Sequence, residues 1–124
     1  MIILDHTIVF SKEKTAAANF LTNILGLPPA KPVGKFMAVE LANGVTLDYS
    51  DTNRPIASQH YAFSLSDDEF DRAFERIKQR DVVYWADPFH QQVAVVNTSD
   101  RGRGLYFDDP SGHNMEIFTQ RHGD

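Results

Sequence analysis

The period of the apolar positions changes repeatedly along the chain. Residues 2–10 are rich in Ile, Val, Thr and Phe and read as a strand. Ser11 follows as a helix cap, and Ala17, Phe20, Leu21 and Ile24 recur at helical spacing until Gly26 stops the helix. Pro28, Pro29 and Pro32 make an extended connector. Residues 35–41 and 45–49 read as strands joined by Asn43-Gly44, the strongest hairpin signal in the chain. Residues 50–58 are mostly polar and read as a linker. The pattern then restarts. Residues 59–65 read as a strand, and Ser66 to Glu69 form a capping box. The helix it opens carries Phe70, Ala73, Phe74 and Ile77 on one face, with Arg76, Lys78 and Arg80 at the end the helix dipole favours. Strands are expected at 82–85, 93–96, 104–108 and 114–119, with a turn at Asp109-Pro110-Ser111-Gly112.

Each half therefore reads strand, helix, then about three strands, an internal repeat of elements. His6 opens the first half and His60 the second, 54 residues later. Gly44 and Gly112 occupy matching turns, each four residues before a carboxylate, Asp48 or Glu116, and those carboxylates are 68 residues apart. The difference implies about fourteen extra residues in the second half, placed between Trp85 and Gly104.

Side chains alternate across a strand, so parity assigns faces. Asp48 lies opposite Leu47 and Tyr49, and His60 lies opposite Tyr61, Phe63 and Leu65. Glu116 alternates with Met115 and Ile117, whereas His6 shares parity with Leu4, Ile8 and Phe10. A lone strand histidine is usually just a hydrogen-bonded residue, and a carboxylate on a polar face is usually solvated. Recurrence in both halves changes that reading. If the halves pair about a pseudo-twofold, two imidazoles and two carboxylates converge, a set suited to a divalent transition metal.

Composition narrows the chemistry. The 124 residues carry 12 basic and 17 acidic side chains, and a net charge of −5 argues against a phosphate-backbone partner. There is no cysteine, so disulfides, thiolate ligands and a thiol nucleophile are excluded. No apolar run reaches membrane-spanning length, and the N-terminal segment lacks the marks of a signal peptide, so a cytoplasmic location and no membrane partner are expected.

The segments L-D-H-T-I-V-F, F-L-T-N-I-L-G-L-P, N-G-V-T-L-D-Y, Q-H-Y-A-F-S-L and G-L-Y-F-D-D-P-S-G-H-N-M-E-I-F together resemble the vicinal oxygen chelate superfamily, also called the glyoxalase/bleomycin-resistance/extradiol-dioxygenase superfamily. They run from Leu4 to Phe118, and the last is the most specific. The resemblance implies one α+β domain of two βαβββ modules, about 1–52 and 58–120, whose mixed sheets curve into an open half-barrel with helices outside. It implies a homodimer and a small-molecule substrate. It implies His6, His60 and Glu116 as ligands of a divalent metal: Zn, Ni, Mn or Fe. Asp48 matches a fourth ligand position held by glutamate in metal-dependent glyoxalase I. One methylene shorter, it reads as a ligand, an outer-sphere partner or a base.

Further residues are candidates for substrate binding. Arg103, between Gly102 and Gly104, reads as an anion contact or equally as a surface arginine in a turn. Tyr84, Trp85 and His90 read as pocket-lining groups or as core and dimer contacts. His113 is read as structural and His122 as solvated. The resulting expectation is a metal-dependent enzyme acting on a small oxygen-rich molecule by lyase, isomerase or thiol-transfer chemistry, with Asp48 and Glu116 as catalytic carboxylates. Dioxygen chemistry ranks last, because the usual extradiol enzymes are longer. The alternative is a metal-free drug- or metabolite-binding protein of bleomycin-resistance type.

Overall fold

In the computed structural model, residues 1–99 and 102–119 are described, so His122 lies outside the described residues. The chain forms two compact units, residues 1–57 and the segment from Ser58 onward. In the first, β1 (His6–Ser11), α1 (Lys14–Leu25), β2 (Lys31–Val33), β3 (Phe36–Glu40) and β4 (Thr46–Asp51) follow in order. The sheet order is β1-β4-β3-β2, with β1 parallel to β4 and the other pairs antiparallel. Val9, Leu21, Ile24, Val39, Leu47 and Tyr49 form the buried core of this unit.

The second unit repeats the plan. It contains β5 (His60–Leu65), α2 (Asp67–Gln79), β6 (Tyr84–Trp85), β7 (Asn97–Ser99), β8 (Gly102–Asp108) and β9 (Asn114–Thr119). The order is β5-β9-β8-β6, with β7 also pairing β8. Again the first strand is parallel to the last. Phe70, Ile77, Leu105, Phe107, Met115 and Ile117 are its largest fully buried apolar groups. The first unit is thus a βαβββ module, and the second is the same plan with one added short strand, β7, beside β8; both have open mixed sheets, the α+β class expected from the repeat. Among the described residues no helix is long and apolar enough to cross a membrane.

Several local expectations hold at the atomic level. The Ser66 hydroxyl accepts from the Glu69 N–H, and the Glu69 carboxylate accepts from the Ser66 N–H, which satisfies two otherwise orphaned donors. Gly44 closes its hairpin at φ 87°, a backbone region that favours glycine.

Others are corrected. Strand β1 begins at His6, and residues 1–4 remain exposed. Ser11 ends that strand, buried, and is not a cap. The α1 N-cap is Glu13, with no side-chain bond, and Asp51 instead accepts from the Lys14 N–H at 2.7 Å. The proline-rich connector contains an edge strand, where Pro32 is tolerated because one side of such a strand has no hydrogen-bond partner. The strand expected at 93–96 lies instead at 97–99: Ala94 has φ 58°, which breaks extension, and Val93 makes only an isolated bridge to Trp85.

Candidate metal centre on the open sheet faces

Strand register determines which side chains in the second unit share a face. On β5 and β9, His60 pairs with Asn114 and Ala62 with Glu116. Across β8, Tyr106 pairs with Glu116 and Asp108 with Asn114; across β6, Trp85 pairs with Tyr106. Register partners project to the same side. His60, Asn114, Glu116, Tyr106, Asp108 and Trp85 therefore belong to one face. The alternate residues Phe63, Leu105, Phe107, Met115 and Ile117 are buried on the other, which packs on α2.

On the open face, His60 Nε2 lies 2.9 Å from Glu116 Oε1. Tyr106 stands beside both groups: its ring centroid is 5.6 Å from that of His60, and it is the cross-strand register partner of Glu116. Burial, then the neighbouring Glu116 carboxylate, push the phenol up to about 12. It stays protonated near neutral pH.

The first unit repeats this register. His6 pairs with Thr46, and Asp48 is the partner of Ile8, so Asp48 stands to His6 as Glu116 stands to His60. Here, however, the imidazole pairs differently. His6 Nδ1 lies 2.8 Å from Asp5 Oδ2, and that hydrogen bond is the main reason its pKa rises above 6.5, with Asp48 adding a smaller electrostatic contribution. A carboxylate on Nδ1 orients the ring and turns Nε2 to any ligand, an arrangement common at metal-binding histidines.

Among the described residues, no three or more His, Asp or Glu side chains are gathered as a complete metal cluster. The His60–Glu116 pair nevertheless fits one. Two donors bound at about 2.1 Å and at right angles, as in an octahedral site, stand about 3.0 Å apart. The observed separation is 2.9 Å. Imidazole nitrogen and carboxylate oxygen are also the donor types a cysteine-free chain can offer a first-row cation.

The remaining sequence candidates divide by face. Trp85 lies on the open face opposite Tyr106, and the His90 ring stacks on it at 3.7 Å, nearly coplanar. Tyr84 turns the other way, packing edge-on against Phe74 and lining a recess of about 350 Å³ with Lys78, Val83 and Val93. That recess shares no lining residue with the His60–Glu116 face. Arg103 alternates with Tyr106 and reaches α2. Its guanidinium bonds Asp71 at 2.6 Å and Asp67 at 3.1 Å and covers the Phe70 ring at 4.6 Å. This guanidinium therefore already has two carboxylate partners on the helix side. His113 is buried, with Nδ1 accepting from the Gln59 N–H, as a structural histidine does.

The sequence alone leaves the face of Tyr106 open and does not single out Asp5, Asp108 or Asn114. Asp5 adjoins His6 in the chain and Asn114 shares the parity of Glu116, both usable signals. Tyr106 and Asp108 needed strand register, which spacing alone does not supply.

The chain matches the model of the Glyoxalase/Bleomycin resistance protein/Dioxygenase superfamily over residues 3–117. It belongs to that superfamily. Among solved structures, Oxidase ChaP-H1 is 46% identical with a TM-score of 0.96, covering 100% of both chains. Oxidase ChaP-H2 is 49% identical with a TM-score of 0.94, covering 99% of this chain and 97% of its own. Glutathione transferase FosA of Serratia marcescens is 30% identical over 78 residues, 59% of this chain. That match spans about half, 48%, of the curated relative.

Proposed function

We propose that this protein is a metal-dependent oxidase of a small oxygen-rich molecule, with His60, Glu116 and His6 as metal ligands. The observation that carries the metal reading is the His60–Glu116 pair, 2.9 Å apart and flanked by Tyr106. The nearly full-length likeness to two oxidases supports oxidation over the other chemistries of the superfamily. We therefore rank dioxygen chemistry first, although chain length alone ranks it last.

A bound divalent ion of the Fe or Mn type supplies Lewis acidity to substrate oxygens and a route for electrons to dioxygen. The chain's own groups do the rest. Tyr106, the register partner of Glu116, keeps a protonated hydroxyl beside that carboxylate and supports its orientation. Asp48, partly exposed on β4, is the base that accepts a proton from a substrate hydroxyl. Trp85 and His90 offer flat surface to the substrate at the edge of the sheet. The reading includes the homodimer common in the superfamily, which a sizing experiment checks.

A second reading, thiol transfer, is favoured by the partial likeness to Glutathione transferase FosA. The two separate cleanly. The protein is loaded anaerobically with Fe2+ or Mn2+ and screened against phenolic, hydroxy-carbonyl and epoxide substrates, with oxygen and thiol consumption read in parallel. Oxygen uptake without thiol loss supports the oxidase. Thiol loss without oxygen uptake supports the transferase. Absence of metal after loading supports sequestration.

A further inference from the structure

We propose a second divalent-cation site in the second unit, built from His90 Nε2, Asp108 Oδ1 and Asn114 Oδ1. It uses none of the ligands assigned above.

The three donors converge from separate segments. His90 Nε2 is 3.2 Å from Asn114 Oδ1 and 3.6 Å from Asp108 Oδ1. Asp108 and Asn114 are cross-strand partners of β8 and β9, so their side chains share a face. The longer distance is beyond a hydrogen bond. The imidazole nitrogen thus has one oxygen as a weak partner and a carboxylate oxygen standing off beside it. Two donors bound at about 2.0–2.2 Å to one tetrahedral cation stand about 3.3–3.6 Å apart. The distances of 3.2 and 3.6 Å bracket that spacing.

Each donor is held in its orientation by a different contact. Asn114 Nδ2 donates to the Pro88 carbonyl at 3.1 Å, which turns Oδ1 toward His90. The His90 ring lies on the Trp85 indole at 3.7 Å with an interplanar angle of 4°. The loop carrying His90 is closed by Asp87, whose carboxylate accepts from the Gln91 and Gln92 N–H groups at 2.8–3.1 Å. Such pre-set donors need little rearrangement on binding. His90 and Asp108 both remain partly exposed, so water can complete the coordination. One imidazole, one carboxylate and one amide oxygen suit a borderline first-row dication such as Zn2+ or Mn2+ better than a soft one.

The test is Zn2+ binding by the full-length chain, read by equilibrium dialysis with elemental analysis. His60→Ala/Glu116→Ala removes the first pair. This variant is expected to keep one equivalent of Zn2+, and adding His90→Ala or the surface change Asp108→Asn is expected to weaken that equivalent at least tenfold. The 15N signal of the His90 Nε2 is expected to move on Zn2+ addition in the same background, while melting curves verify the fold. No equivalent in the His60→Ala/Glu116→Ala variant overturns the proposal, as does an equivalent unaffected by both His90→Ala and Asp108→Asn. Failure of the oxidase reading looks different: wild-type protein then binds one equivalent, lost on His90→Ala and kept without His60 and Glu116.

Discussion

Tyr106 stands opposite Glu116 across β8 and β9, and burial followed by the Glu116 charge holds its phenol protonated, pushed up to about 12. The same ring leans on His60, so one side chain adjoins both members of the proposed metal pair. Tyr106→Phe removes the hydroxyl beside the carboxylate and keeps the ring. The expected outcome is a metal dissociation constant raised about tenfold to a hundredfold, as for other outer-sphere partners, with an unchanged circular dichroism spectrum. An unchanged dissociation constant in a competition titration refutes the supporting role.

Arg103→Ala tests the reassignment of that residue to the fold. It removes two partly exposed ion pairs and a contact with the Phe70 ring. Exposed pairs and cation–π contacts of this kind together contribute about 1–2 kcal/mol. Urea denaturation is expected to show that loss, while KM for any substrate stays at the wild-type value. A raised KM at unchanged stability restores Arg103 as a substrate contact.

The fold was legible where local chemistry decides it. Ser66 and Glu69 announce α2 by themselves, and Asn43-Gly44 announces its hairpin. Parity correctly put His60 and Glu116 opposite the buried residues of their strands. What stayed hidden depends on pairing. Tyr106 joins the candidate site only because its strand aligns it with Glu116, and Gly102-Arg103-Gly104 looks like a loop until β8 takes it into the sheet and turns the arginine toward α2. Pro32 hides β2 because proline reads as a strand breaker, a rule that an unpaired edge relaxes. Val93 and Val95 mimic a strand by composition, yet both are exposed and flank the left-handed Ala94.

Gly102 is fixed by space as well as by backbone. Its φ is 108°, and an added Cβ would stand 2.7 Å from the Thr119 carbonyl oxygen and nearer still to the Thr119 hydroxyl. Gly102→Ala is therefore expected to destabilise by more than about 2 kcal/mol. Gly34→Ala, which meets nothing nearby, bears only the cost of its φ of 58°. Denaturation midpoints of the two variants compare the costs directly, and equal losses contradict the steric account.

Asp109 gives stability a pH dependence. Its Oδ1 accepts from the Ser111 and His113 N–H groups, while Oδ2 is buried without a hydrogen-bond partner. Burial raises its pKa above 3.8, so the folded state holds this proton more tightly than the unfolded chain does. Its contribution is therefore most favourable below the unfolded pKa and is lost as pH rises through the raised folded value. Asp109→Asn removes the titration and keeps an oxygen for the two N–H groups. The stability of wild type relative to Asp109→Asn, from urea midpoints across acidic pH, is expected to fall as pH rises. A difference that is flat or grows with pH contradicts this assignment.

The central claim, a metal held by His60 and Glu116, is tested most directly by counting bound metal. Wild type, His60→Ala and Glu116→Ala are loaded anaerobically with Fe2+, desalted and analysed for iron per chain. The account predicts that each variant keeps the wild-type circular dichroism spectrum and loses one equivalent. Iron content equal to wild type in both variants would contradict it.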